Sequence, residues 1–306
     1  MFVPLYYASV DFCLRKHYRS SVKLRGKTVV ITGGNTGIGR EAILDLAGRG
    51  AKIIMACRDV EKGKKAVEYV CKQVSEANII VKELDLSSFA SIRSFAEDLL
   101  AAEPYIHYLI NNAAVGACPK WKTVDGFEMQ FGVNYLGHFL LTNLLLERIK
   151  ASAPARIVNL GSVAHIFGKI HFKDIHYERR YYSWQAYCDS KLAIALITRE
   201  LAKRLHGTGV TTYCVDPGAC HTEIFRHLAK SRSIDYILNK CRGISYKSAK
   251  HGAESIVYCM TEPSIASESG YYYNYYTKVK AASRARKDEI AKRLWDLSET
   301  LISSAQ

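Results

Sequence analysis

The 306-residue chain has no C-x-x-C pair, and its nine cysteines, an odd number, are scattered from Cys13 to Cys259. A disulfide framework needs paired sulfur and a zinc site needs clustered sulfur, so neither is expected; no metal ligands are assigned, and free thiols suit a reducing compartment. Spacings of the helix-turn-helix, RRM and zinc-finger kinds are absent as well. A net charge of +14, spread along the chain without them, does not argue for nucleic acid; it suits anionic lipid or a phosphorylated ligand. No Gly/Ser/Pro-rich linker and no internal repeat interrupts the chain, which leaves little support for a second domain. Hydrophobic residues at 48% and charged residues at 24% fit a globular core and exclude wholesale disorder.

The amino terminus also lacks the length to cross a bilayer. Met1 to Leu14 is largely apolar, with Phe2, Tyr6, Tyr7 and Phe12. Fourteen helical residues reach about 21 Å, against a hydrocarbon core of about 30 Å. Arg15, Lys16, His17 and Arg19 follow, and no small-residue cleavage site comes after them, so a removed signal peptide fits poorly. Two readings stand for this leader, residues 1–23: an interfacial membrane anchor with basic head-group contacts, or a segment that packs on the domain or frays.

From residue 24 on, short apolar runs alternate with longer helical stretches. Thr28 to Thr32, Lys52 to Cys57, Ile79 to Leu84, Tyr108 to Asn111, Arg156 to Leu160 and Thr211 to Val215 read as buried strands. Between them, Ile38 to Arg49, Val60 to Val74, Ser88 to Ala101, Gly132 to Ile149 and Trp184 to His206 read as helices. Six such alternations predict a doubly wound α/β domain over residues 24–306, with helices on both faces of a mostly parallel sheet. The stretch 219–248 follows the last strong strand without alternation of its own. Ligands of such sheets bind beyond the carboxyl ends of the strands, so this stretch is a candidate substrate lid, or else a surface excursion.

The first strand runs directly into Thr32-Gly33-Gly34-Asn35-Thr36-Gly37-Ile38-Gly39, and a helix begins at once. Glycines let the backbone turn tightly against a pyrophosphate, and the helix terminus presents free N–H groups to it. At the end of the second strand, where an acid would hold a ribose 2′-hydroxyl, stand Cys57 and Arg58. That removes an anion and adds a cation for a 2′-phosphate, which favours NADP(H). Asp59 is able to draw Arg58 aside, which keeps NAD open. Farther on, Tyr187 and Lys191 stand four residues apart, on one face of a helix. A phenolate at neutral pH costs about 4 kcal/mol at a pKa near 10, and a neighbouring ammonium lowers that cost. The pair is a candidate general acid/base. Ser162, just after the fifth strand, can donate to a substrate oxygen.

The spacing T-G-x-x-x-G-I-G, with Y-x-x-x-K downstream, resembles the short-chain dehydrogenase/reductase family. The resemblance implies one Rossmann-type domain with a seven-stranded sheet. It implies a catalytic tetrad of Tyr187 (proton donor or acceptor), Lys191 (pKa tuner and ribose ligand), Ser162 (substrate orienter) and Asn134 (holder of a relay water). For the cofactor it implies contacts from Gly33, Asn35, Thr36, Gly37, Ile38, Gly39, Arg58, Asp85, Leu86, Asn112, Tyr187, Lys191, Pro217, Gly218 and Thr222. Ala114 stands where the family's N-N-A-G segment has glycine. Asp216 stands where near members often carry histidine, a change expected to touch the lid more than the chemistry.

Longer stretches resemble the retinol dehydrogenase branch, the microsomal and mitochondrial retinal reductases: Ala56 to Asp59, Asp125 to Asn134, Gly137 to Leu145, Ala186 to Ala193 and Arg293 to Ser298. That resemblance implies NADPH-dependent reduction of retinal or related lipophilic aldehydes, or the reverse oxidation of the alcohol. It also implies an intracellular enzyme associated with endoplasmic reticulum or mitochondrial membrane, otherwise cytoplasmic. Family dimers often use the two long central helices, which leaves a homodimer open, since the sequence does not fix the oligomeric state. A broader reductase of steroids, lipid aldehydes or xenobiotic carbonyls stays open, as does a silent nucleotide-binding scaffold, which the intact tetrad opposes. The tyrosine-rich run Tyr271 to Tyr276 departs from the branch and reads as an edge strand with polar tips facing solvent or membrane.

Overall fold

The computed structural model describes residues 17–218, Cys220, Ile224 and 247–305. The order of elements is β1 (Thr28–Thr32), α1 (Gly37–Gly48), β2 (Lys52–Cys57), α2 (Val60–Cys71), β3 (Asn78–Glu83), α3 (Phe89–Ala102) and β4 (Tyr108–Asn111), followed by α4 (Gly137–Ala151) and β5 (Ala155–Leu160). Then come α5 (Ser183–Arg204), β6 (Val210–Asp216), α6 (Ala249–Thr261), β7 (Tyr271–Asn274), β8 (Thr277–Val279) and α7 (Asp288–Ser304).

The strands form one sheet in the order β3-β2-β1-β4-β5-β6-β7-β8. Pairings from β3 through β7 are all parallel, and β8 returns antiparallel to β7. The expected seven strands are therefore eight, because a short hairpin adds an outer strand. Central β1 is buried along its whole length, as strands covered on both faces must be. Alternation along it sends Val30 to one core with Ile54, Leu109 and Ile157, and Val29 and Ile31 to the other with Ile53 and Met55.

Chain order reverses between β1 and β4, and there the crevice of such a sheet opens. The long helix expected over Gly132 to Ile149 is not uniform. Its first turn, Gly132–Leu136, winds as π-helix, with Gly137 N–H on the Gly132 carbonyl, and α-helix begins at Gly137. The tyrosine run is not an edge strand: β8 takes the edge, Tyr272 and Tyr273 are buried, and only Tyr271 is exposed. Their hydroxyls bond the carboxylates of Asp216 and Glu268 instead of solvent.

Candidate active site

At the switch point the glycine turn is built by close approach. Gly33 has φ +66°, and a Cβ there would lie 2.9 Å from Ala113 Cα; a Cβ on Gly39 would overlap the Gly33 carbonyl and lie 2.7 Å from Asn112 Nδ2. Asn112 donates from Nδ2 to the carbonyls of Thr32 (2.8 Å) and Gly33 (2.9 Å), locking the end of β4 to the turn after β1. Thr36, which begins α1, makes no side-chain capping bond, and Gly37 again has positive φ. The first N–H groups of α1 thus face the crevice side uncapped, an anion-binding arrangement beside Asn35 and Ile38. Glycine at 33 and 39 lets the turn pack directly on Ala113 and Asn112.

Arg58 follows β2, is exposed, and pairs with no acid among the described residues. Asp59 does not compete for it: its Oδ1 caps α2 by accepting from Lys62 N–H at 3.0 Å, and its Oδ2 lies 3.5 Å from Lys62 Nζ. Asp85, after β3, accepts from Ser87 N–H (2.8 Å) and the Ser87 hydroxyl (2.7 Å). A Cβ on Gly137 would lie 2.6 Å from the Leu86 carbonyl oxygen, so Leu86 and the start of α4 are in direct contact.

Three tetrad candidates, Ser162, Tyr187 and Lys191, meet at the carboxyl end of β5, and Asn134 reaches the same helix through Ser190. Ser162 opens a short 3-10 turn, its Oγ accepting from Ala164 N–H at 3.2 Å. Tyr187 is 4% exposed; burial drives its pKa up, a hydrogen bond to Ser162 opposes this, and Asp216 and Cys188 reinforce it. Lys191 is buried, donates to the Leu160 carbonyl at 2.8 Å and lies 5.7 Å from the Tyr187 ring centroid. Burial pulls its pKa down to about 8 against the pull of Cys214 and Asp216. Asn134 sits in the π turn with its amide on the Val115 backbone: Nδ2 donates to Val115 O (2.9 Å) and Oδ1 accepts from Val115 N–H (2.8 Å). Its own carbonyl meets His138 Nδ1 at 3.0 Å, and Nδ2 also reaches Ser190 Oγ at 3.0 Å.

A buried tyrosine hydrogen-bonded to a serine with a lysine one turn on, and a glycine turn after β1, are the two halves of the site. The family model described as short chain dehydrogenase matches residues 27–233. The chain belongs to the short chain dehydrogenases. Within that family it falls in the retinol dehydrogenase branch. Human retinol dehydrogenase 12 is 50% identical over 284 residues, covering 93% of this chain and 89% of that protein. Mouse retinol dehydrogenase 11 is 47% identical over 283 residues, 92% and 88% of the two chains. Among solved structures, an uncharacterised protein from Mycobacterium paratuberculosis superposes with TM-score 0.75 at 34% identity, covering 94% of this chain and 97% of that one. The RhlG/NADP active-site complex of Pseudomonas aeruginosa does so with TM-score 0.65 at 26% identity, covering 82% and 95%. This short chain dehydrogenase is therefore an oxidoreductase acting on CH–OH groups.

The dehydrogenase fold also positions groups that motif reading passed over. Asp189, inside the Tyr187 to Lys191 motif, ties down the long connection from Ser162. It accepts from Lys169 N–H (2.7 Å), from Gln185 Nε2 (2.6 Å) and from the Tyr177 hydroxyl. Asp216 is 2% exposed: it accepts from Gly218 N–H at 2.9 Å and from the Tyr272 hydroxyl at 3.3 Å. Pro217 is buried beside it, and Gly218 has φ +73°. His17, His251 and Glu254 bring three ligand atoms within 4.8 Å of one another. Lys247 Nζ stands 3.4 Å from His251 Nε2, and Glu254 already accepts from Tyr18 N–H and the Tyr276 hydroxyl. The trio thus reads as a latch of residues 17–18 onto α6. Thr222, the leader to residue 16 and most of the 219–248 stretch lie outside the described residues; Ile224 packs on Ala164, Tyr187 and Cys188.

Proposed function

We propose that this chain is an NADP(H)-dependent oxidoreductase interconverting a lipophilic aldehyde and its alcohol, retinal and retinol foremost, with Tyr187 as the proton donor and acceptor. The observation that carries it is the buried Tyr187 hydroxyl, hydrogen-bonded to Ser162 with Lys191 one turn away. Gly33, Asn35, Thr36, Gly37, Ile38, Gly39 and Asn112 form the pyrophosphate cradle, Asp85 and Leu86 flank the adenine side, and Pro217, Gly218 and Thr222 the nicotinamide side. Arg58, released from Asp59 by the Lys62 cap, meets the 2′-phosphate. When bound, the nicotinamide supplies or accepts the hydride. Ser162 Oγ, which accepts from Ala164 N–H, keeps its own proton to donate to the substrate oxygen. Tyr187 passes a proton to that oxygen in reduction and withdraws it in oxidation. Lys191 holds the nicotinamide ribose and favours the phenolate by its charge. Asn134 fixes the π turn from which a relay water is held near Lys191. The names of the retinol dehydrogenase relatives support the substrate. The apolar, basic leader is assigned an interfacial membrane contact; among the described residues no helix is long and apolar enough to cross a membrane.

The test is nicotinamide absorbance with purified chain, NADPH and, in parallel, retinal, a ketosteroid and nonanal. Reduction of retinal is expected; turnover of the ketosteroid alone sinks the retinoid reading. Tyr187→Phe is expected to abolish turnover with NADPH binding kept, whereas lost binding would make the tyrosine structural. Arg58→Ala is expected to weaken NADPH by about 1.5 to 3 kcal/mol, the scale of a hydrogen bond to a charged group, and to leave NADH affinity unchanged. Equal losses for both cofactors refute the 2′-phosphate role.

A further inference from the structure

Two departures from the branch, Asp216 and the tyrosine-rich strand β7, meet in one place. The Asp216 carboxylate is buried at the end of β6 and accepts from Gly218 N–H, from the Tyr272 hydroxyl of β7 and from the backbone of Val163, the residue after Ser162. The ring of Tyr275 fills the space that a side chain on Gly218 would need. Tyr272 in turn stacks on His165 at 4.5 Å, and His165 Nδ1 lies 2.8 Å from the Ser162 carbonyl. The Ser162 turn, β7 and the 217–218 loop are therefore tied to one carboxylate.

We propose that Asp216 is a charged positioning residue, which clamps the Ser162 turn to the 217–218 loop and sets a fixed negative charge behind Tyr187 and Lys191. Burial opposes the charge on Asp216. Three donors, Gly218 N–H, Val163 N–H and the Tyr272 hydroxyl, converge on the carboxylate, and each of them favours its ionised form. Among the described residues, the titratable groups that interact with this carboxylate are Tyr187 and Lys191 from α5, Cys214 from β6, Tyr272 from β7, and Cys220. Lys191 is the only cation of these, and it answers the Asp216 charge while Tyr187 feels it as repulsion. The consequence is a site that keeps its donor proton, and so its reductase activity, to higher pH than the same site with a neutral side chain.

The inference rests on Tyr187 as proton donor. It is tested by pH profiles of kcat for retinal reduction with NADPH and retinol oxidation with NADP, in wild type, Asp216→Asn and Asp216→Ser, with NADPH affinity measured alongside. The alkaline fall of reduction and the alkaline rise of oxidation are both expected to move to lower pH by about one unit, the scale of one nearby charge. Asp216→Ser, smaller and also neutral, keeps the test available where the asparagine does not fold. Tyr272→Phe, which keeps the charge, is expected to lower kcat with the profile in place. Profiles unmoved in the neutral variants, or moved as far by Tyr272→Phe, overturn the role of the charge. A wild-type chain inactive on retinal, or an active Tyr187→Phe chain, defeats the reading of Tyr187 and this inference with it.

Discussion

His138 shows how completely single polar groups are used around the crevice. It is buried, with Nε2 2.8 Å from Thr32 Oγ1 and Nδ1 3.0 Å from the Asn134 carbonyl. The Thr32 oxygen already accepts from the N–H groups of Asn112 and Ala113, each at 3.0 Å. Its proton therefore goes to Nε2, and Nδ1–H points at Asn134, which fixes a neutral tautomer. Burial pulls the pKa down to about 4; the Asn134 carbonyl opposes this and the Lys191 charge adds to it. Since the folded value lies below the unfolded 6.5, the unfolded chain takes up the proton first. The contribution of His138 is thus complete above pH 6.5 and is lost as pH falls toward 4, on the order of 3 kcal/mol at 1.36 kcal/mol per unit. Denaturant unfolding across that window is expected to show a shallower acid loss for His138→Gln than for wild type; parallel losses would mean the ring is not held neutral.

At the scale of elements, the strand-turn-helix unit from β1 to α1 depends on contacts with the end of β4. Gly39→Ala places a methyl against the Gly33 carbonyl and Asn112 Nδ2, where neither backbone nor a doubly bonded amide can retreat. An overpacking cost of about 1 to 3 kcal/mol is expected, with NADPH affinity falling at least in step; calorimetric melting and cofactor titration read the two, and unchanged values in both would show the turn to be looser than its contacts. The motif was legible here because glycines have one strong local reason to sit between a strand and a helix. The π turn was not legible. Gly132 to Ile149 carries an unbroken helical pattern, and the extra residue at Gly132–Leu136 goes with an amide pairing between Asn134 and Val115, nineteen residues away in sequence. The same holds for Asp216: nothing local announces the donors from Tyr272 and Val163.

Over the whole molecule, α7 packs on both long central helices. Trp295 of α7 packs edge-on against Phe139 of α4 at 4.8 Å and under the Arg204 guanidinium at 4.1 Å. Ser298 meets the Tyr135 hydroxyl at 2.6 Å, while Arg199 and Lys203 of α5 hold Asp288. Residues Ala186 to Thr198 of α5 are all buried within one copy. Sedimentation equilibrium of the purified chain is therefore expected to give a mass near the 34.4 kDa of one copy; a stable dimer would place pairing on another surface. Trp295→Ala is expected to cost about 3 to 5 kcal/mol in denaturant unfolding, and a loss under 1 kcal/mol would show α7 to be only loosely docked.

The sequence by itself determined the alternation of β1 to β6 with their helices, the glycine cradle, and the Tyr187, Lys191 and Ser162 constellation. Each of these rests on short-range causes: periodicity, turn geometry and the spacing of a helical turn. Only the tertiary structure decided that β7 is buried beside an outer strand, that Asp59 bonds Lys62 rather than Arg58, that α7 packs on α4 and α5, and that Asp216 joins Gly218 to Tyr272. The last two depend on partners far apart in the chain. The burial that gives a carboxylate or a tyrosine its altered chemistry exists only once the elements have packed.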